Sequence, residues 1–179
     1  MRLTLEESFF VIKKYAWALI LLGSFFSACG YRFAGGGSLP SGITSISVKM
    51  FENRTAETGV ESIITNDLIY EFSRHEQVIV TGSDKADAIL TGVVQSISER
   101  AISHRGEYTS DERRVVLKLD LQLTDRTGGV IWSGKGVSDN EAYQVMSGKQ
   151  ATELSKRIAI QRLSKRLAEN IFNRLTVDF

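Results

Sequence analysis

Val115-Val116-Leu117-Lys118-Leu119-Asp120-Leu121-Gln122-Leu123-Thr124 is the most regular stretch of the chain. Positions 115, 117, 119, 121 and 123 are aliphatic, while Val116, Lys118, Asp120, Gln122 and Thr124 stand between them. A period of two sustained over this length marks a β-strand with one dry face and one wet face, because successive side chains leave a pleated backbone on opposite sides. The turn residues Asp125-Arg126-Thr127-Gly128-Gly129 follow, and Val130-Ile131-Trp132-Ser133 opens another strand running towards Tyr143. Residues 113–137 therefore read as a β-hairpin around which the rest of the domain is organised.

Upstream, Thr44–Met50 alternates with the same period. Phe51–Glu57 is polar and turn-like, and Val60, Ile63, Ile64, Leu68 and Phe72 then recur at spacings of three and four, with Thr58 placed as a cap and Glu61 three residues later. Val78–Thr81 is a short strand. Ala86–Ser98 is a longer one, with Ile89, Val93 and Ile97 on one face and Leu90 and Val94 on the other. From Ser147 to Leu175 the period is helical again: Leu154, Ile158, Leu163, Leu167, Ile171 and Leu175 form a stripe, and Lys156, Arg157, Lys165, Arg166 and Glu169 lie outside it. Such a helix is roughly 40 Å long, enough to cross a small sheet. The pattern predicts an α+β fold: a mostly antiparallel sheet of four to five strands with two helices packed on one face, in the order β-α-β-β-β-β-α. The second sheet face must then meet solvent or a partner.

The chain has 179 residues, 42% of them hydrophobic, which is enough for one packed domain. With 22 Lys and Arg against 21 Asp and Glu there is no basic surplus, so nucleic acid is not an expected partner. One cysteine and two histidines exclude a disulfide framework and leave too few soft ligands for a structural zinc site. His75 and His104 read as solvated surface residues. Gly-x-Ser-x-Gly is absent, and Gly35-Gly36-Gly37-Ser38 lacks the lysine of a phosphate loop. Glu52, Glu57 and Glu61 are placed to serve a helix start. No enzyme activity, metal or cofactor is expected.

The cysteine is informative by its position. Lys13 and Lys14 precede an uncharged run, Ala16–Ala28, that is too short to span a bilayer comfortably but fits a secretory core. Phe26-Ser27-Ala28-Cys29 resembles a lipobox, in which the cysteine is acylated and the leader removed; Phe26 departs from the usual leucine. A free or buried thiol is the alternative, yet Cys29 stands between an apolar run and a glycine-rich stretch, with no core to occupy. Residues 1–28 then form a signal peptide, 29–42 a lipidated flexible tether and 43–179 a single domain. Cleavage would leave 19 residues of each sign, a neutral chain. Gly30 follows the cysteine where an aspartate would resemble an inner-membrane retention signal, so the expected address is the outer membrane, on its periplasmic side.

Cations crowd the connection between the third and fourth strands. Arg100, Arg105, Arg113 and Arg114 lie within Glu99–Arg114, and the hairpin geometry brings that connection to the same end of the sheet as Lys149. Arginine forks match phosphate oxygens, so this end could hold an anionic lipid headgroup. A solvated hairpin tip with compensated charges is the other reading.

Taken together, Cys29-Gly30-Tyr31-Arg32-Phe33, the following Gly-Ser-Leu-Pro, Ile46-Ser47-Val48 leading into Phe51-Glu52-Asn53-Arg54-Thr55, Ala86-Asp87-Ala88-Ile89-Leu90, and Asp125-Arg126-Thr127-Gly128 before Trp132 resemble the lipopolysaccharide-assembly lipoprotein family, LptE. The resemblance covers nearly all of residues 29–175. It implies two helices on a four-stranded sheet, a role as plug and chaperone of the outer-membrane β-barrel that inserts lipopolysaccharide (LptD-like), and contact with lipopolysaccharide. It maps basic residues of the family loosely onto Arg105 and Lys149, with Arg100, Arg113 and Arg114 as further candidates. Phe51–Thr55 is also similar to periplasmic domains of curli-type secretion lipoproteins, so an accessory lipoprotein of another secretion or transport channel is the alternative.

Overall fold

The computed structural model describes residue 39, residues 42–102 and residues 112–177. The expectations for the leader, for Cys29, for most of the tether and for His104 and Arg105 lie outside the described residues.

The elements run β1 (Ser45–Val48), β2 (Glu52–Asn53), α1 (Val60–Ser73), β3 (Ile79–Val80), β4 (Ala88–Ile102), β5 (Glu112–Asp125), β6 (Val130–Gln144) and α2 (Lys149–Val177). They build one six-stranded sheet in the order β3-β1-β4-β5-β6, with β2 also paired to β4. The α+β expectation holds, and both helices cover one face. The long ladders, β4 with β5 and β5 with β6, are antiparallel. The short ones, β1 with β3, β1 with β4 and β2 with β4, are parallel, so the sheet is mixed. Parallel pairing follows where a helix carries the chain back across the sheet, as α1 does between β1 and β3. β2 lies in the stretch read as a turn, because two residues are too few to show a period.

The aliphatic positions of β5 behave as the alternation requires: Val115, Leu117, Leu119, Leu121 and Leu123 are all buried beneath the helices. They meet Leu163, Leu167, Ile171 and Leu175 of α2 and Ile64, Leu68 and Phe72 of α1 in one core. Each such side chain contributes about 1.5–3 kcal/mol when fully buried. Phe72 meets Phe172 edge to face, with centroids 5.4 Å apart, and this contact ties the two helices together. His75 stacks on Phe172 at 3.8 Å and faces Glu71, so it is part of that junction and not merely solvated.

Three local expectations are corrected. In β4 the register slips between Val94 and Ser96. Gln95 is the extra residue of a bulge, and from there on the faces exchange, so that Ile97 pairs with Leu117 and Glu99 with Val115 on the helix side. Ile97 therefore shares a face with Leu90 and Val94, not with Ile89 and Val93. At α1 the N-cap is Gly59, in a left-handed conformation at φ 88° that glycine tolerates, and Thr58 does not cap. Glu61 performs its half of the expected box by accepting a hydrogen bond from the Gly59 N–H at 3.1 Å. In α2 the buried residues begin at Ala159, whereas Leu154 is 60% and Ile158 39% exposed: the step of five from Ile158 to Leu163 turns the helix by about 140°, so these two residues do not share the buried stripe, and Lys156 takes the sheet-facing side at their level.

Candidate functional site

The end of the sheet where the predicted cations gather is set by the pairing of Ile102 with Glu112 and of Glu112 with Gln144. One step inside it Ala101, Arg113 and Tyr143 lie in line, and one further step in stand Arg100, Arg114 and Ala142. Arg100 and Arg114 are thus directly opposite each other on the open face, which the helices leave uncovered, and both are exposed. No ion pair joins either to a carboxylate among the described residues. Two like charges held as a cross-strand pair repel, so the arrangement is an electrostatic cost that an anion bridging both forks would relieve.

Arg113 is at the same end but on the other face, with Nη1 3.8 Å from Glu99 Oε2. Lys149 is the first residue of α2 and is exposed at that end of the helix layer. The structure therefore brings Arg100 and Arg114 together, sets Arg113 aside in an internal ion pair, and leaves Lys149 near the same end on a different layer. Arg105 is among the residues not described.

Beneath the same end lies a cluster that periodicity did not reveal. Lys156 Nζ contacts Glu57 Oε2 at 2.6 Å and Glu99 Oε1 at 2.9 Å. The Tyr143 hydroxyl donates to the other oxygen of Glu99. The Tyr143 hydrogen bond, followed by that from Lys156, holds the Glu99 carboxyl below its usual range. Burial alone would depress the Lys156 ammonium, but the hydrogen bonds to Glu57 and Glu99 outweigh it and raise its pKa above the ordinary value. Burial first and the Glu99 hydrogen bond second raise that of Tyr143. The one sequence signal for this cluster is the bulge at Gln95, which turns Glu99 inward, and a single inserted residue is not visible as a pattern.

The recognisable motifs lie at the joints between elements. Asn53 donates from Nδ2 to the Glu57 carbonyl and to Glu61 Oε2, both at 2.8 Å, and its Oδ1 accepts from the backbone and hydroxyl of Thr55. Asp87 Oδ2 accepts from Thr44 and Ser45 through both backbone and hydroxyl groups, and Arg126 donates to its Oδ1 at 2.9 Å. Asp87 thereby joins the starts of β1 and β4 to the β5–β6 turn. That turn is closed by Asp125 Oδ1, which accepts from Thr127 and Gly129.

The open face itself is polar. Lys118 and Gln122 are exposed, and Asp120 accepts from Gln95 Nε2 at 2.8 Å and from the Gly136 N–H at 2.7 Å, which joins the bulge in β4 to the irregularity in β6. A wet, hydrogen-bonding surface of this kind suits a polar lumen or lipid headgroups better than a dry protein core.

Comparison with known proteins adds the following. The family described as LptE, lipopolysaccharide-assembly, matches residues 43–175. No curated protein matches. Among solved structures, the uncharacterized lipoprotein B of Nitrosomonas europaea superposes with a TM-score of 0.57 at 16% identity, covering 83% of this chain and 92% of that one. A Xanthomonas campestris protein superposes with a TM-score of 0.52 at 11% identity, covering 82% and 89%. At these identities the likeness is one of fold.

Proposed function

Because the chain belongs to the LptE lipopolysaccharide-assembly family, we propose that it works as an outer-membrane lipoprotein, anchored on the periplasmic side through acylated Cys29. There it acts as plug and chaperone of the β-barrel that inserts lipopolysaccharide, and it contacts lipopolysaccharide directly. The observation that carries the lipid contact is the cross-strand pair Arg100 and Arg114, two exposed arginines held at directly opposite register positions, with no ion pair to a carboxylate among the described residues. Lipopolysaccharide headgroups carry phosphates, and two adjacent forks can hold one phosphate from two sides. Lys149 supplies further positive charge at that end, whereas Arg113 is engaged by Glu99 and acts on the lipid only indirectly.

The polar open face supports the barrel-plug reading, since a barrel lumen is wet and the face needs no apolar cover. The alternative, an accessory lipoprotein of another secretion channel, rested on Phe51–Thr55. Asn53 and Thr55 are engaged inside this chain and need no partner to account for them.

The test is capture of radiolabelled lipopolysaccharide by the full chain carrying Arg100→Glu and Arg114→Glu, beside Arg105→Glu with Lys149→Glu. The expected result is a loss of captured lipid with an unchanged circular-dichroism spectrum. Undiminished capture by both variants would remove the headgroup assignment, and failure of the chain to co-purify with any outer-membrane barrel would remove the plug.

A further inference from the structure

The open face of the sheet is ordered in rows that continue past the arginine pair. Arg100 and Arg114 share the first row with Ala142. Two residues further along each strand stand Ser98, Val116 and Asn140, and two further again Ser96, Lys118 and Ser138. These rows hold no carboxylate, and they are bounded by Glu112 on one side and Asp120 on the other. Short side chains make up the middle row, so the surface is a saddle with long cationic side chains at both ends. From Arg114 to Lys118 the strand advances roughly 13–14 Å.

Beyond Lys118 the face sinks into a depression of about 410 Å³ lined by Gln95, Lys118, Asp120, Lys135 and Gly136. The Lys118 stem lies over Gly136, since a Cβ built on that glycine would stand 3.2 Å from Lys118 Cε. Asp120 is the one carboxylate in this lining, and both its oxygens are taken by neutral donors, Oδ1 by the Gly136 N–H and Oδ2 by Gln95 Nε2. Neither lysine is in an ion pair among the described residues, so the depression keeps a net positive charge.

A single phosphate needs only the arginine pair. The second cationic seat lies at a set distance from it, and the exposed groups between the two, on Ser96, Ser98, Ser138 and Asn140, both donate and accept hydrogen bonds as sugar hydroxyls do. An acidic peptide strand lying on this face would present its side chains and not its backbone groups to that polar row. We propose that the open face seats a sugar phosphorylated at both ends, one phosphate at Arg100 and Arg114, the other at Lys118 and Lys135, with the sugar hydroxyls over the serines and Asn140. The inference rests on the headgroup contact proposed above and adds to it the class and length of the headgroup.

Calorimetric titration of the full chain with probes free of acyl chains tests it. The probes are a glucosamine disaccharide phosphorylated at both ends, the same disaccharide phosphorylated at one end, and pyrophosphate. The parent is expected to bind the first about tenfold tighter than the second, the increment of one hydrogen bond to a charged group. Lys118→Gln with Lys135→Gln should erase that preference. It should leave the singly phosphorylated sugar and pyrophosphate unchanged, because the two phosphates of pyrophosphate are too close together to reach both seats. Arg100→Gln with Arg114→Gln should weaken all three. Equal affinity of the parent for the two sugars would overturn the second seat and leave the arginine contact standing. A lysine effect as large on pyrophosphate would also overturn it, since the lysines would then act only as general charge. Tighter binding of a glutamate-rich peptide than of the doubly phosphorylated sugar would overturn it and assign the strip to a protein segment. Binding of no probe would remove the arginine contact and this inference with it.

Discussion

Lys156 Nζ lies 2.6 Å from Glu57 Oε2, across a sequence separation of 99 residues, and joins the loop before α1 to the third turn of α2. The same ammonium reaches Glu99 of β4 at 2.9 Å, and only 12% of the Lys156 side chain is exposed. One cation thus holds three elements where the apolar core has already ended. Lys156→Met keeps the apolar stem but leaves two half-buried carboxylates facing each other, so a loss of about 2 kcal/mol in urea denaturation is expected. Adding Glu57→Gln to Lys156→Met should restore part of that loss. If the two changes were simply additive, the bridge would not be the coupling element.

Asp87 gives the stability a defined dependence on acid. Hydrogen bonds from the Ser45 hydroxyl, then from the Thr44 backbone and hydroxyl, bring its pKa to about 2. An unfolded aspartate titrates near 3.9. Because the folded value is the lower, the contribution of Asp87 is complete above the unfolded value and is lost as pH falls through the interval down to about 2. In Asp87→Asn that part of the acid limb should flatten, and stability above pH 5 should drop because the amide cannot accept all the bonds the carboxylate takes. Parallel acid limbs for parent and variant would mean that Asp87 does not carry this dependence.

The fold was legible where burial imposes a period. Leu117, Leu119 and Leu121 alternate because the helices cover one face, and Leu163, Leu167 and Ile171 recur because α2 lies on it. Legibility failed where one residue changes the phase. Gln95 adds a residue to β4, and with it Glu99 comes to the helix side, beside Tyr143 and Lys156, where unbroken alternation from Leu90 and Val94 would point it away. It failed again at Leu154 and Ile158, because the step of five from Ile158 to Leu163 turns the helix by about 140° and leaves the two residues on the side away from the core. The cations were found as a group because hairpin topology dictates a shared end. Their division between two faces, with Arg114 open and Arg113 paired to Glu99, depends on strand parity relative to the core.

Gly92 is required by a contact and not by its backbone angle. A Cβ built there would stand 2.3 Å from the Phe51 ring, which is 3% exposed and closes the core beside β4. Gly92→Ala must displace that ring, at a cost of about 1–3 kcal/mol. Phe51→Ala alone opens a cavity and should cost about 3–5 kcal/mol. The double variant is expected to lose less than the sum of the two, because the added methyl enters the space vacated by the ring. Thermal or urea melts of the four proteins check this, and strict additivity would place the ring elsewhere.

The pair Arg100 and Arg114 offers a variant in which stability and function move in opposite directions. The two arginines occupy opposite register positions of β4 and β5 with no ion pair to a carboxylate among the described residues, and like charges placed so are expected to destabilise each other in the absence of an anion. Arg100→Thr removes the repulsion and supplies a residue that suits a strand, so a gain of about 0.5 kcal/mol is expected at low ionic strength. The gain should shrink as salt screens the repulsion in the parent. Lipopolysaccharide capture by the same variant should fall, since one of the two forks is gone. A variant that is more stable and captures less lipid identifies the pair as retained for a ligand. A variant that loses stability would instead show that Arg100 supports the sheet, and its loss of capture would then carry no information about the headgroup.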